Sequence, residues 1–432
     1  MVKKSILLVL LIGFAVSAGW AQQTSFEKFL ADKPGITIKS VGPPNTRFAK
    51  GYELFMVQPL DHKHPEKGSF KQRIWVSLRD TVEAHPVVMV TEGYSANRNY
   101  ECEPAFLLNA NQIIVEHRYF SESAPDTLDW QYLTVEQAAT DHHEIIKLLK
   151  PFFSGKWITT GVSKGGQTAI YHRAFFPDDV DVSIPYVAPI NFAREDQRIY
   201  DFFHTVGTES DREKIHEFQR LVLERRDTMM VMMKEQAEAK GWTFSMGYDK
   251  AFDIAVLEYP FSFYQWGQDI FAIPDSSDTN REIFDNFTKV SGFSYECDQE
   301  WEKIKPFFYQ AYKELGYYSY VPGDLKPLIR GFNTDTVSSD LFAPGGDTLR
   351  YISETMQFVM DQLKKHNPKI IAIAGENDPW GSTSLLVDDI PNAYKFVKPG
   401  GCHLTRIYNL PDEMKQEVYD LLEEWTGVEI MR

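Results

Sequence analysis

Cysteines are few, and the interior of the chain lacks long apolar runs. Cys102, Cys297 and Cys402 are the only cysteines among 432 residues, so one disulfide at most can form and a disulfide-stapled scaffold is excluded. Their spacing also differs from that of zinc ligands. Because no interior stretch reaches the roughly 20 apolar residues of a membrane span, we expect no stable membrane association.

Motifs for metals and organic cofactors are missing as well. His62 and His64 share a polar turn and form the one pair suited to a metal, but no further ligand stands nearby. A solvated turn is therefore the favoured interpretation. We expect neither a metal nor a cofactor.

Basic residues are too few to balance the acids. The 45 lysines and arginines against 61 aspartates and glutamates give a formal net charge of −16. Such a charge disfavours nucleic acids and anionic membranes as partners. It suits neutral or cationic substrates, including peptides with a free amino group.

The N-terminus carries the one extended apolar segment. Lys3 and Lys4 precede an apolar run over residues 6–16, and the small residues Gly19 and Ala21 follow it. This order is typical of a secretory signal peptide, and the run is short for a membrane span. The sequence predicts a signal peptide over residues 1–21 and export to the periplasm or the medium.

A Gly-x-Ser-x-Gly motif, Gly161 to Gly165, joins an apolar run to a helical pattern. A strand, a sharp turn and a helix are the context in which this motif presents a nucleophile. The turn would lift the Ser163 hydroxyl above the sheet edge, and the Lys164 N–H at the helix start would face an oxyanion. The sequence predicts Ser163 as a catalytic nucleophile.

Strands and helices alternate up to about residue 190, and the strand pattern returns near residue 369. The alternation predicts an α/β fold with a mostly parallel, doubly wound sheet. The stretch between is helical and rich in aromatic residues, and one long helix is predicted over residues 209–240. Ahead of the sheet, residues 24–45 are predicted to form an irregular lead-in, and the amphipathic pattern after Thr134 predicts a helix over 135–149. We predict an α/β-hydrolase domain in two parts, 22–190 and 346–432, with a helical cap inserted at 191–345.

A serine nucleophile needs a base and an acid that orients the base. In the chain order of α/β-hydrolases these follow the nucleophile on loops after late strands. Asp378 follows the predicted strand 369–374, and His403 follows the strand 393–397. Glu376 competes as the acid, but Asp378 lies further into the loop, nearer to the expected position of the histidine.

The loop after the predicted strand 86–91 is expected to supply the second oxyanion donor. A backbone N–H of Gly93 or Tyr94 is the preferred donor, and the Tyr94 hydroxyl is a weaker one. Three acids crowd the same region and could bind a substrate ammonium. Solvated loop charge is the competing interpretation for each of them: Glu92, Glu101 and Glu103.

Several stretches resemble the secreted serine tripeptidyl aminopeptidase family and the related prolyl carboxypeptidase and dipeptidyl peptidase II family. They are the nucleophile motif at 161–166 and the segments 111–125 and 132–141. The resemblance extends from residue 52 to His403. Arg118-Tyr119-Phe120, where the sister family has Arg-Tyr-Gly, favours the tripeptidyl branch.

The resemblance implies a capped α/β-hydrolase with the triad Ser163, Asp378 and His403. It also implies release of short peptides from free N-termini, often with a proline preference. Aromatic residues at 252–266, with Phe263 and Trp266 as candidates, could wall the substrate site, although cap core is an equal alternative. An esterase or lipase, or a catalytically silent binding protein, are the rival functions on the same scaffold.

Overall fold

The structure is a computed structural model that describes residues 24–80 and 84–432; the predicted signal peptide lies outside the described residues. The strands are β1 Ile36–Val41, β2 Lys50–Pro59, β3 Ser69–Leu78, β4 Val87–Thr91, β5 Asn111–Val115, β6 Trp157–Val162, β7 Val182–Tyr186, β8 Ile370–Gly375 and β9 Ala393–Lys398. The α-helices are α1 Ser25–Leu30, α2 Glu103–Leu107, α3 Val135–Leu149, α4 Lys164–Phe175, α5 Gln197–Thr205, α6 Glu209–Glu224, α7 Arg226–Lys240, α8 Tyr248–Gln265, α9 Asn280–Val290, α10 Asp298–Gln310, α11 Glu354–His366 and α12 Asp412–Thr426.

All the strands belong to one sheet in the order β1-β2-β3-β5-β4-β6-β7-β8-β9. The first pairs are antiparallel, from β1 through β3 to β5, and every later pair is parallel. The register pairs Val87 with Asn111 on one side and with Trp157 on the other. Because parallel strands point the same way, the loops after β4, β6, β8 and β9 meet at one edge of the sheet.

The central parallel strands of the sheet are fully buried. Every residue of β4, β5, β7 and β8 is buried, as expected for strands covered by helices on both faces. Helices α3 and α4 pack against each other, and α11 packs on α4. Thr134 caps α3 by accepting a hydrogen bond from the Gln137 N–H at 3.2 Å, and this helix has the predicted bounds.

Strand order, parallel core and the turn between β6 and α4 together form an α/β-hydrolase fold, and that prediction is confirmed. Between β7 and β8 the described elements are helical, α5 to α11. Helices α6 to α9 share an aromatic core that includes Phe252, Tyr259, Phe263 and Phe287. We call α5 to α10 the cap helices; the boundaries 191 and 345 stay a prediction.

Two predictions about single elements are wrong. Residues 24–45 read as an irregular lead-in because of their prolines, yet they form α1 and the edge strand β1. Ile36, Ile38 and Val41 of β1 are half-buried and the other three residues are exposed, so the strand carries only a weak apolar pattern. The single helix predicted over 209–240 is broken at Arg225, between α6 and α7.

His62 and the three cysteines noted in the sequence take ordinary structural positions. His62 contacts Asp141 through Nε2 at 2.7 Å, and Asp141 forms a fully buried ion pair with Arg118 at 2.7 Å. All three cysteines are free. Across the described ranges, no helix is both long and apolar enough to cross a membrane.

Candidate active site

The turn between β6 and α4 holds Ser163 in a strained backbone conformation. Its φ is +57° and its ψ is −125°, a region that residues other than glycine rarely adopt. The turn needs glycine at position 161, because a Cβ there would lie 2.3 Å from the Gly165 carbonyl carbon. This geometry is the nucleophile elbow that the motif predicts.

The loops after β8 and β9 bring the predicted acid and base together. Asp378 Oδ2 lies 2.7 Å from His403 Nδ1, and both side chains are buried, at 0% and 4% exposure. Asp378 Oδ1 accepts a hydrogen bond from the Trp380 N–H at 3.2 Å, which fixes the carboxylate. Glu376, the competing acid, is exposed and accepts from the Gly400 N–H instead. The carboxylate can therefore hold the imidazole with Nε2 directed away from it.

Two backbone N–H groups at this turn are candidate oxyanion donors, those of Lys164 and Tyr94. Lys164 begins α4, and the Gly93–Tyr94 peptide follows β4 against the same turn. A Cβ on Gly93 would lie 2.6 Å from the Lys164 Cβ, so this close approach requires glycine. Within the described residues, neither the Lys164 N–H nor the Tyr94 N–H donates a hydrogen bond to another protein group. Both donors are available to an oxyanion.

The Lys164 side chain holds the second of these donors in place. Its Nζ is buried and donates a hydrogen bond to the Gly93 carbonyl oxygen at 2.6 Å. The ammonium position lies over the Tyr94 and Phe120 rings, 5.6 and 5.3 Å from their centroids. Burial lowers the pKa of Lys164 well below its usual value. Since C=O and N–H of a trans peptide point in opposite directions, this hydrogen bond orients the Tyr94 N–H.

A cavity of about 470 Å³ opens above Ser163, between the sheet edge and the cap helices. Ser163, Lys164 and His403 line its floor, and residues of α8 and α10 line its other walls. Trp266, one of the two predicted aromatic contacts, lies in this lining with its ring edge-on to His403, 5.7 Å between centroids. Phe263, the other, is buried in the cap core.

The three predicted ammonium-binding acids lie outside this lining. Glu101 forms ion pairs with Arg47 and Arg79. Glu103 accepts hydrogen bonds from the Tyr186 hydroxyl at 2.8 Å and from two backbone N–H groups. Glu92 accepts from the Tyr100 hydroxyl at 2.6 Å. Each carboxylate thus already has protein partners.

Sequence reasoning missed the acids that do face the cavity, Glu258 on α8 and Glu296 before α10. Glu258 is an isolated carboxylate in the aromatic half of its helix, and that isolation was the available signal. Ser262, Gln265 and Trp266 share its helix face, at the spacing of successive turns. Glu296 sits in a loop, where no periodicity marks it.

Comparison with known proteins points to one family. The family described as PS-10 peptidase S37 matches residues 28–432. A prolyl tri/tetrapeptidyl aminopeptidase from Streptomyces mobaraensis is 31% identical over 437 residues, covering 97% of this chain and 90% of the relative. The human lysosomal Pro-X carboxypeptidase is 34% identical over 162 residues, 33% of each chain. A solved structure, the proline iminopeptidase of Mycobacterium smegmatis, aligns with a TM-score of 0.42 and 14% identity over 86% of this chain and 99% of that one.

The family match covers nearly the whole described chain, and the Streptomyces relative aligns over almost its full length. The resemblance drawn from the motifs is therefore confirmed. The strained serine, the buried Asp378–His403 pair and the free N–H groups are the parts that acyl transfer from a peptide requires. The chain belongs to the PS-10 peptidase S37 family and is a serine peptidase.

Proposed function

We propose that the protein is an exported serine exopeptidase that releases short peptides, with tripeptides as the expected product, from free amino termini. His403 takes the proton of the Ser163 hydroxyl as the oxygen attacks the scissile carbonyl, and Asp378 holds the imidazolium. The Lys164 and Tyr94 N–H groups stabilise the oxyanion. His403 then protonates the leaving amine, and water hydrolyses the acyl-enzyme.

The position of Ser163 at the floor of a cavity under the cap helices carries this proposal. An endopeptidase needs an open cleft through which a chain passes on both sides of the scissile bond. A cavity of about 470 Å³ is of the size that holds a small ligand. It suits a short segment of peptide that ends inside the protein.

The expected product length and proline preference have separate support. The Streptomyces relative is named as a prolyl tri/tetrapeptidyl aminopeptidase. Flat aromatic rings of Tyr317, Trp380 and Trp266 line the cavity, and such faces suit a proline ring. We also propose export, supported by the signal-peptide pattern over residues 1–21. Sequencing the mature N-terminus tests this, with Gln22 expected first.

Matched chromogenic peptides test the activity. Ala-Ala-Pro with a free amino group is compared with its N-acylated twin, on the wild type and on Ser163→Ala. Cleavage of the free peptide alone, lost in the variant, supports the aminopeptidase. Turnover of simple acyl esters with neither peptide cleaved would replace it by an esterase. No turnover and no labelling by a fluorophosphonate probe would indicate a silent binding protein.

A further inference from the structure

Two carboxylates share the cavity with the catalytic serine and histidine. Glu258 accepts hydrogen bonds from the hydroxyls of Tyr318 at 2.8 Å, Tyr320 at 3.0 Å and Ser262 at 2.8 Å. Glu296 is 5% exposed, and within the described residues no side chain donates a hydrogen bond to its carboxylate. One acid is thus held in position by hydroxyls, and the other has spare acceptor capacity.

Among the residues that the structure describes, no basic side chain pairs with either of these carboxyl groups. Neither Glu258 nor Glu296 forms an ion pair with a lysine, arginine or histidine in the described part of the chain. The two cations in the cavity lining are directed to backbone carbonyls: Lys164 to Gly93, and Arg406 to His403 and Thr405. Burying an uncompensated carboxylate is costly, so the site favours a ligand that brings a positive charge.

The pKa values of Glu258 and Glu296 reflect their burial. Burial raises the pKa of Glu258 to about 7, although hydrogen bonds from Tyr318, Ser262 and Tyr320 oppose the shift. Burial also raises the pKa of Glu296 well above its ordinary value, and the nearby Glu258 adds to the effect. A bound ammonium would reverse both shifts, because it stabilises the ionised carboxylates.

Helix α8 connects Glu258 to the loop that carries His403. The carbonyl of Gln265, seven residues after Glu258, accepts a hydrogen bond from the His403 N–H at 2.9 Å. Seven residues of α-helix span about 10 Å. Three residues of extended peptide also span about 10 Å. A peptide whose third carbonyl lies at Ser163 can therefore bring its amino terminus to the level of Glu258.

A second, independent group in the cavity also lacks its partner. Gln167 on α4 is 2% exposed and lines the same space, and no group of the described residues accepts a hydrogen bond from its amide Nε2. An unpaired buried amide donor is unfavourable unless a ligand accepts from it. A peptide carbonyl between the amino terminus and the scissile bond is such an acceptor.

We propose that Glu258 and Glu296 bind the α-ammonium group of the substrate's amino terminus, and so set where the peptide is cut. This assignment rests on the proposed aminopeptidase function. It places ammonium recognition on the cap helices rather than on the loop after β4, where the sequence suggested it. The ammonium forms charge-assisted hydrogen bonds to both carboxylates, and the Gln167 amide donates to the peptide backbone.

The test uses Glu258→Gln and Glu296→Gln, which keep side-chain size and remove the charge. Each variant hydrolyses chromogenic Ala-Ala-Pro and a twin in which hydrogen replaces the α-amino group. We expect kcat/KM for the free-amine peptide to fall about 10- to 100-fold, the effect of losing a charge-assisted hydrogen bond. The twin should change less than threefold. Glu302→Gln, an exposed acid on α10 outside the cavity, serves as the matched control.

Labelling of Ser163 by a fluorophosphonate probe reports whether each variant is folded. If the probe does not label the glutamine variants, Glu258→Asp replaces them. Aspartate keeps the negative charge, but its side chain is one methylene shorter and reaches less far into the cavity. Turnover of the free-amine peptide should still fall selectively. Unchanged free-amine turnover in labelled variants, or an equal loss for both substrates, overturns the assignment while the wild-type preference for a free amine stands. A wild type that prefers the twin instead refutes the proposed function itself.

Discussion

Replacing Lys164 by methionine tests whether its side chain orients the proposed oxyanion donor, the Tyr94 N–H. The backbone N–H of residue 164 remains, and a side chain of similar length still fills the buried space. The 2.6 Å hydrogen bond from Nζ to the Gly93 carbonyl is lost. The Gly93–Tyr94 peptide is then free to rotate, so the Tyr94 N–H no longer points steadily at the developing oxyanion.

The expected fall in kcat follows from the contribution of a single oxyanion-hole donor. Loss of a single oxyanion-hole donor lowers kcat by about 10²- to 10³-fold. Because methionine disorders the Tyr94 donor without deleting it, we expect kcat to fall about 100-fold and KM to change little. Stability should change less, because the substitution leaves one carbonyl unpaired but also removes a buried amine whose pKa burial already lowers.

Steady-state hydrolysis of chromogenic Ala-Ala-Pro gives kcat and KM, and thermal unfolding gives Tm. Lys156→Met is the matched control. Lys156 precedes β6, the strand that leads to Ser163, and its half-exposed side chain forms an ion pair with Asp181. A Lys164→Met variant with wild-type kcat and a similar Tm would refute the orienting role. A large fall in Tm with a proportional loss of active, probe-labelled enzyme would point to a purely structural lysine.

Three further perturbations test other parts of the structure. Gly161→Ala should prevent folding or lower Tm strongly, because its Cβ would lie 2.3 Å from Gly165, whereas Gly42→Ala meets nothing within 4 Å and should leave Tm unchanged. Asp141→Asn should lower the free energy of unfolding by about 3–5 kcal/mol in denaturant titrations, because it leaves the Arg118 guanidinium buried without its carboxylate. The pKa of Glu258 near 7 predicts that KM for a free-amine peptide rises as pH falls from 8 to 6, because the carboxyl becomes protonated and neutral. The groups that face Glu258 are the hydroxyls of Tyr318, Tyr320 and Ser262 and the carboxyl group of Glu296. Glu258→Gln should lose this pH dependence of KM. An unchanged dependence in the variant would contradict the assignment.

Much of the catalytic arrangement was predictable because its signals are local. The elbow at Ser163 needs a strand, two glycines and a helix in immediate succession, and all of these are visible in the sequence. Asp378 follows β8, a fully buried apolar strand, and His403 follows β9, in which Ala393 and Phe396 are buried. Parallel topology then brings their loops to one edge of the sheet, so the contact between Asp378 and His403 could be predicted without coordinates.

The residues that we propose to bind the substrate were not predictable in the same way. Glu92, Glu101 and Glu103 are close to the oxyanion loop in sequence, but their partners, such as Arg47 and Tyr186, come from distant segments. Phe263 and Trp266 are three residues apart on one helix, yet one enters the cap core and the other the cavity. Only the packing of the cap helices decides which side of α8 faces the serine.

The sequence by itself was enough to predict the parallel strands, the turn at Ser163 and the two loops that carry Asp378 and His403, because each depends on short-range patterns of apolar residues and turn residues. The tertiary structure decided which carboxylates share the cavity with Ser163. Glu258 and Glu296 reach it from a helix and a loop far along the chain. Cap packing removes both carboxyl groups from water, and in the described part of the chain it places no lysine or arginine against them. No local pattern in the sequence encodes that packing.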